Sequence, residues 1–187
     1  MASVPNFAVV QSAWVVTDLW ESLARLSRDL GYGPWLLLKD IHVPLVLHQG
    51  EPTHFRHTSA LCQAGGVQLE LAMPHDDLPS AFRDMYPRGS SGFHHTAMFV
   101  DDFAAAVTAY ESTGYQLIQH HHLPGGRESG FIDTRAANGH MLELLEDSPG
   151  LRRLYAAVAA LGEQHAREEI VEVDMDALTE LLSAGSS

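Results

Sequence analysis

Two stretches decide how this chain is read: Gln11-Ser-Ala-Trp-Val-Val-Thr-Asp-Leu19 and His95-Thr-Ala-Met-Phe-Val-Asp-Asp-Phe103. At an offset of 84 residues (95 minus 11) Gln11 falls on His95, Ala13 on Ala97, Val16 on Val100 and Asp18 on Asp102. Each stretch has the apolar, valine-containing character of a short buried strand. Each then runs into a helix-like segment that ends in Gly-Tyr, at Gly31-Tyr32 and at Gly114-Tyr115. A second correspondence lies downstream, where Gly66-Val-Gln-Leu-Glu70-Leu71 matches Gly139-His-Met-Leu-Glu143-Leu144 at an offset of 73 (143 minus 70). Each half therefore supplies one polar residue on an early strand and one glutamate on a late strand. Gln11, Glu70, His95 and Glu143 point to one shared site.

Working outward, Phe7 to Val16 reads as a strand, and Asp18 caps a helix in which Leu19, Leu23, Leu26 and Leu30 recur at helical spacing up to a glycine stop at Gly31. Trp35 to Lys39 is the next strand. Residues 42–57, broken by Pro44, Gly50 and Pro52, read as a loop or irregular hairpin, and Thr58 to Cys62 and Val67 to Met73 as two more strands. The order β-α-β-β-β then repeats through Phe93–Val100, a helix capped by Asp102, Tyr115–His121, Gly130–Asp133 and His140–Leu145. The fold class predicted is α+β: a first module over 1–74, a linker over 75–91 with a short helix at 79–86, a second module over 92–147, and a helical tail over 148–187. The tail begins with an amphipathic helix over 149–166 that aligns Leu151, Leu154, Tyr155 and Val158, followed by a short helix over 174–183.

Composition narrows the function classes. A chain of 187 residues with 45% hydrophobic content can bury a full core. With a net charge of −13 and Lys39 as its single lysine, it lacks the clustered cations that a nucleic-acid surface requires. Cys62 stands alone, which excludes a disulfide framework and a cysteine-based zinc site and fits a reducing compartment. The N-terminus has no basic-then-apolar leader, and no apolar run is long enough for a membrane span, so the expectation is a cytoplasmic protein.

The ordered set formed by Gly92-Phe-His-His-Thr-Ala-Met-Phe-Val-Asp-Asp102, the two Gly-x-x-Leu-Glu-Leu strands and the Gly-Tyr helix ends resembles the vicinal oxygen chelate superfamily over roughly residues 7–146. That superfamily includes glyoxalase I, methylmalonyl-CoA epimerase, extradiol dioxygenases and bleomycin-type resistance proteins. Leu30-Gly-Tyr-Gly-Pro-Trp35 and Phe131-Ile-Asp-Thr-Arg135 are most similar to the glyoxalase and epimerase branch. The resemblance implies two βαβββ modules forming an eight-stranded cup around one divalent ion, with Gln11 and Glu70 from the first module and His95 and Glu143 from the second as ligands. Glyoxalase I of animal type has the same four residue types in the same order. The epimerases place His where Gln11 stands and Gln where Glu70 stands, and the dioxygenases use two His and one Glu.

Strand alternation supports the shared site: an inward Gln11 brings Val9 and Ala13 with it, Glu70 brings Gln68 and Ala72, His95 brings Phe93 and Ala97, and Glu143 brings Met141 and Leu145. Three oxygen donors and one imidazole suit Zn, Ni, Co, Mn or Fe with open positions for a substrate. The activity implied is that of a metal-dependent isomerase or lyase. It moves a proton next to a carbonyl through a metal-stabilised enediolate, with Glu143 and Glu70 as the catalytic carboxylates. The alternatives are a non-catalytic binding or resistance protein on the same fold, or a metal-dependent hydrolase or dioxygenase. The expected partners are a small carbonyl substrate with an apolar body and a second copy of the chain in a homodimer, with neither nucleic acid nor membrane. Arg56, Arg127 and Arg135 are the cations available for an anionic substrate group. Alternation sends His94 to the face opposite His95, and it splits His120-His121-His122 across both faces of a solvated strand end.

Overall fold

The computed structural model describes residues 3–183. The first half contains β1 (Gln11–Val15), α1 (Leu19–Leu30), β2 (Trp35–His42), β3 (Leu45–His48), β4 (Glu51–Thr53), β5 (Arg56–Ala64) and β6 (Val67–Pro74). After α2 (Ala81–Met85), the second half contains β7 (Gly92–Val100), α3 (Phe103–Glu111), β8 (Leu117–His122), β9 (Glu128–Ile132), α4 (Arg135–Asn138) and β10 (Met141–Glu146). The tail forms α5 (Pro149–Gln164), β11 (Ile170–Val173) and α6 (Met175–Ser183).

The repeat read in the sequence is built into the ladders. The strand order β11-β2-β5-β6-β1-β7-β10-β9-β8-β3-β4 has a centre of symmetry between β1 and β7, with β2-β5-β6-β1 on one side mirrored by β7-β10-β9-β8 on the other. β1 and β7 pair antiparallel with Gln11 opposite Ala97 and Ala13 opposite His95. Shifting by the 84-residue offset converts one pair into the other, and the pair Ser12–Thr96 lies on the dyad. The parallel ladders obey the same rule, with Gln11 beside Gln68 and Ala13 beside Glu70 in one half, His95 beside Met141 and Ala97 beside Glu143 in the other.

The helices cap as their sequences require. Asp18 accepts from Glu21 N at 2.9 Å and Asp102 from Ala105 N at 2.8 Å, so both carboxylates are helix caps. α1 ends at Gly31, whose φ of 76° is a left-handed conformation that a Cβ would strain. α1 lays Leu19 and Leu23 on Trp35, Leu37, Leu69 and Leu71, and α3 lays Phe103, Ala106 and Tyr110 on Met98, Leu142 and Leu144. Both helices thus cover one face of the sheet, called outer here; the alternate residues, including the four predicted ligands, form the inner face.

The sheet has eleven strands rather than the eight expected. Residues 42–57 supply two of the additional ones. The β3–β4 hairpin leaves the first half between β2 and β5 and pairs with β8 of the second, Leu45 opposite His122 and Leu47 opposite His120. The third is β11, parallel to β2, which the sequence reading passed over because its pattern of Ile170, Val171 and Val173 is only four residues long. The tail also does more than extend the chain. α5 and α6 pack Leu154, Val158, Leu161 and Leu178 against Leu36, Leu38 and Leu61 on the inner face of the first half. On the second half the inner face is covered by Phe82 of α2 together with Val46 and Phe55 of the hairpin region.

Candidate metal centre

Three of the four predicted ligands meet. His95 Nε2 lies 3.2 Å from Glu143 Oε2 and 3.8 Å from Glu70 Oε2, with the histidine side chain 1% exposed and each glutamate 12%. The floor beneath them is small: Ala13 and Ala97, both fully buried, stand beside Glu70 and Glu143 in the parallel ladders and leave room between the two carboxylates. Gln11 faces the same side, and its side-chain N–H donates to Gln68 Oε1 at 2.9 Å. Its own carbonyl oxygen is then the atom it can offer to a cation.

The hydrogen bonds around His95 define which of its nitrogens carries a proton. His94 Nε2 is 3.0 Å from Ala81 O, and a carbonyl only accepts, so His94 donates from Nε2. Burial holds His94 well below the ordinary histidine value, so the ring is neutral and its Nδ1 is an acceptor. His95 Nδ1, 2.8 Å away, is therefore the donor. In the neutral ring this leaves His95 Nε2 as a bare lone pair, completely buried, with no hydrogen-bond partner and two carboxylates in front of it. A buried imidazole nitrogen facing two carboxylates is an arrangement that a cation would satisfy. The donor set fits a divalent ion, and the Ala81–His94–His95 chain is the outer support that orients a ligating imidazole.

His94 is the main correction to the sequence reading. β7 carries a bulge where Ala13 pairs with His95 but Trp14 pairs with Phe93, so His94 and His95 together oppose a single step of β1. Alternation fails there, and His94 turns inward, fully buried and stacked on Phe82 at 4.1 Å between ring centres. The His-His doublet was the available signal; the bulge that gives it meaning depends on strand pairing.

Several other residues complete the surroundings. Ser59 Oγ donates to Glu70 Oε1, while burial raises the Glu70 carboxyl above its ordinary value against the opposing pull of His95. Among the described residues no hydrogen bond holds the Glu143 carboxylate. Tyr155, on α5, projects toward both glutamates: burial and the charges of Glu143 and Glu70 hold its phenol well above the ordinary tyrosine value, and its hydroxyl has no partner. Its place on the apolar stripe of α5 was legible, but its destination over the two glutamates was not. His121 is also buried, accepting from Gln119 Nε2 at 2.6 Å and donating to Ser129 Oγ at 3.0 Å, so only its neighbours lie at the solvated strand end. Arg56 is committed to Asp40 and Arg135 to Asp133 in exposed or half-buried ion pairs, so these two cations do not converge on His95. An apolar hollow of about 390 Å³ lined by Trp14, Leu26, Leu30 and Leu69 lies on the outer face, away from this chemistry.

The fold and site together define the class of protein. The chain belongs to the Glyoxalase/Bleomycin resistance protein/Dioxygenase superfamily, whose family model matches residues 10–132. No curated protein matches it in sequence. Among solved structures it is similar to a hypothetical protein of Bacillus halodurans, with 21% identity and a TM-score of 0.54 over 75% of this chain and 94% of that one. It is also similar to methylmalonyl-CoA epimerase from Mycobacterium tuberculosis, with 21% identity and a TM-score of 0.52 over 81% and 95%. A Streptomyces coelicolor methylmalonyl-CoA epimerase variant in complex with 2-nitronate-propionyl-CoA gives 16% identity and a TM-score of 0.50 over 76% and 95%. These likenesses establish the shared fold. Among the described residues, no helix is long and apolar enough to cross a membrane.

Proposed function

We propose that this protein is a metal-dependent isomerase or lyase that moves a proton on the carbon next to a carbonyl group. The observation that carries the reading is the bare Nε2 of His95, buried between two carboxylates delivered by equivalent strands of the two halves. A divalent ion held by Gln11, Glu70, His95 and Glu143 would polarise the carbonyl and stabilise the charge that develops on its oxygen. The protein's own groups then divide the work. Glu143, free of hydrogen bonds among the described residues, takes the proton from the adjacent carbon. Glu70, restrained by Ser59, faces the substrate from the other half and returns a proton drawn from solvent. Tyr155, whose phenol keeps its proton, supplies a hydrogen-bond donor where the remaining acceptors are unmatched.

The fold shared with epimerases supports the isomerase arm of this reading, and their substrates place acyl thioesters beside 2-oxo and 2-hydroxy carbonyl compounds among those to be tested. A second reading, a non-catalytic binding protein, is favoured by the packing of Phe82 and Tyr155 around a centre that is 1% to 12% exposed. The two separate in one experiment. Metal-loaded protein is incubated in deuterium oxide with these compounds, and exchange of the proton next to the carbonyl is followed by NMR. Exchange that is lost on adding chelator supports the isomerase. Tight binding without exchange establishes the binding protein.

A further inference from the structure

We propose that His120, His122 and Glu128 form a second divalent-metal site, of the zinc class, on the opposite face of the sheet from His95. Alternation along β8 turns His121 inward to Gln119 and Ser129 and leaves His120 and His122 side by side on the outer face, their ring centres 4.1 Å apart. The β8–β9 register sets Glu128 directly opposite His122, and sets Gly130 opposite His120. A Cβ at Gly130 would press on Gln119 O, Leu117 and Phe103, so glycine lets the ladder close beneath the His120 ring. Phe103 stacks on that ring at 5.0 Å and fixes its plane.

The donor atoms are already gathered. His120 Nε2 is 2.9 Å and His122 Nδ1 3.5 Å from Glu128 Oε1, and one ligand atom from each of the three residues lies within 4.8 Å of the other two. Ligands bound tetrahedrally at about 2.0–2.1 Å stand about 3.3–3.5 Å from one another, so small rotations suffice. Two imidazole rings leaning on one oxygen of Glu128 bring the three donors to a common point, as a shared cation requires. Glu146 Oε2 accepts from Glu128 N at 2.9 Å and fixes the strand at the ligand. Two imidazoles, one carboxylate and an open position select zinc or a related transition metal over magnesium or calcium. With side-chain exposures of 21%, 38% and 29%, this site loads from solvent without any opening of the fold. An ion there would clamp β8 to β9 on the strand to which the β3–β4 hairpin is docked.

Calorimetric titration of zinc into metal-free protein tests the proposal, with His95→Ala isolating this site. His95→Ala should still bind one equivalent. Adding His122→Ala or Glu128→Gln to that background should weaken or remove it by at least about tenfold. Cobalt in place of zinc should give visible absorption bands that disappear in the same double variants. An unchanged isotherm in both double variants overturns the proposal, as does a folded His95→Ala protein, judged by circular dichroism, that binds no zinc. Failure of the His95 centre would look different, because the unmodified protein and His95→Ala would then bind the same single equivalent.

Discussion

The two halves share a backbone plan and differ in what they ask of it. In the first half Gln11 sits beside Gln68, and the two amides engage one another; in the second the equivalent pair is His95 and Met141, and Met141 has no amide to offer the imidazole. Ser59 donates to Glu70, whereas its counterpart Ser129, opposite Leu145 as Ser59 is opposite Ala72, accepts from His121 instead. Among the described residues, a hydrogen bond holds Glu70 and none holds Glu143. A duplicated fold supplies two carboxylates at matched positions, and the unmatched neighbours give them different surroundings.

Glu143→Gln tests that asymmetry with the largest expected effect. The amide keeps an oxygen donor but cannot accept the substrate proton, so exchange into solvent should fall by about 10²–10⁴-fold while metal is partly retained. Glu70→Gln should instead spare proton removal and impair its return, giving exchange without completed turnover. Equal losses in both exchange and turnover for the two variants would mean that the halves act alike, and the comparison would fail.

Acid should expose a property that the halves share. Burial holds His57 at about 3 and His121 at about 4, both neutral in the fold, with further lowering from nearby histidines. Both values lie below the ordinary 6.5, so the unfolded chain binds more protons below that pH and the folded state loses stability as pH falls. At pH 5 the loss amounts to about 2 kcal/mol for each group, measured by denaturant titration against pH. His57→Phe, which keeps the stacking on Phe55, should remove roughly its own share of the slope. A slope unchanged in that variant would place the acid sensitivity elsewhere.

His94→Phe addresses the support that the second half has and the first lacks. The ring remains to stack on Phe82, but the acceptor that fixes the His95 tautomer is gone, so metal affinity at His95 should weaken by about 10–100-fold. Calorimetry on a His122→Ala background, which silences the outer site, reads this directly. An unaltered affinity would show that His95 is oriented by packing alone.

Much of this arrangement was legible in the sequence because it depends on local periodicity. The 84-residue and 73-residue offsets marked the repeat that the ladders follow, and Asp18, Asp102 and Gly31 announced their caps. Besides the four-residue β11, three features escaped for physical reasons. The bulge at His94 arises from a mismatch between two paired strands, and neither strand records it alone. The β3–β4 hairpin could be recognised as a possible hairpin, but its pairing with β8 is a long-range choice. The amphipathic stripe of α5 showed that the helix packs, without showing that it packs on the inner face of the first half and carries Tyr155 to the glutamates.

Tyr155 gives the smallest effect expected and the finest test of how the tail joins the two halves. Its ring meets Phe99 of β7 at 4.9 Å edge to face, while its hydroxyl is buried without a partner beside carboxylates from both halves. A buried donor left unsatisfied costs about 1–3 kcal/mol, and Phe keeps the ring contact while removing that group. Tyr155→Phe should therefore raise the stability of the metal-free protein by about 1 kcal/mol, read from the denaturation midpoint at constant slope. The same variant should lose turnover if the phenol serves a bound substrate, and a stability gain accompanied by a kcat loss would identify a group kept for chemistry at the expense of the fold. A loss of stability would show instead that the hydroxyl is satisfied in solution, and that α5 contributes to the centre through packing alone.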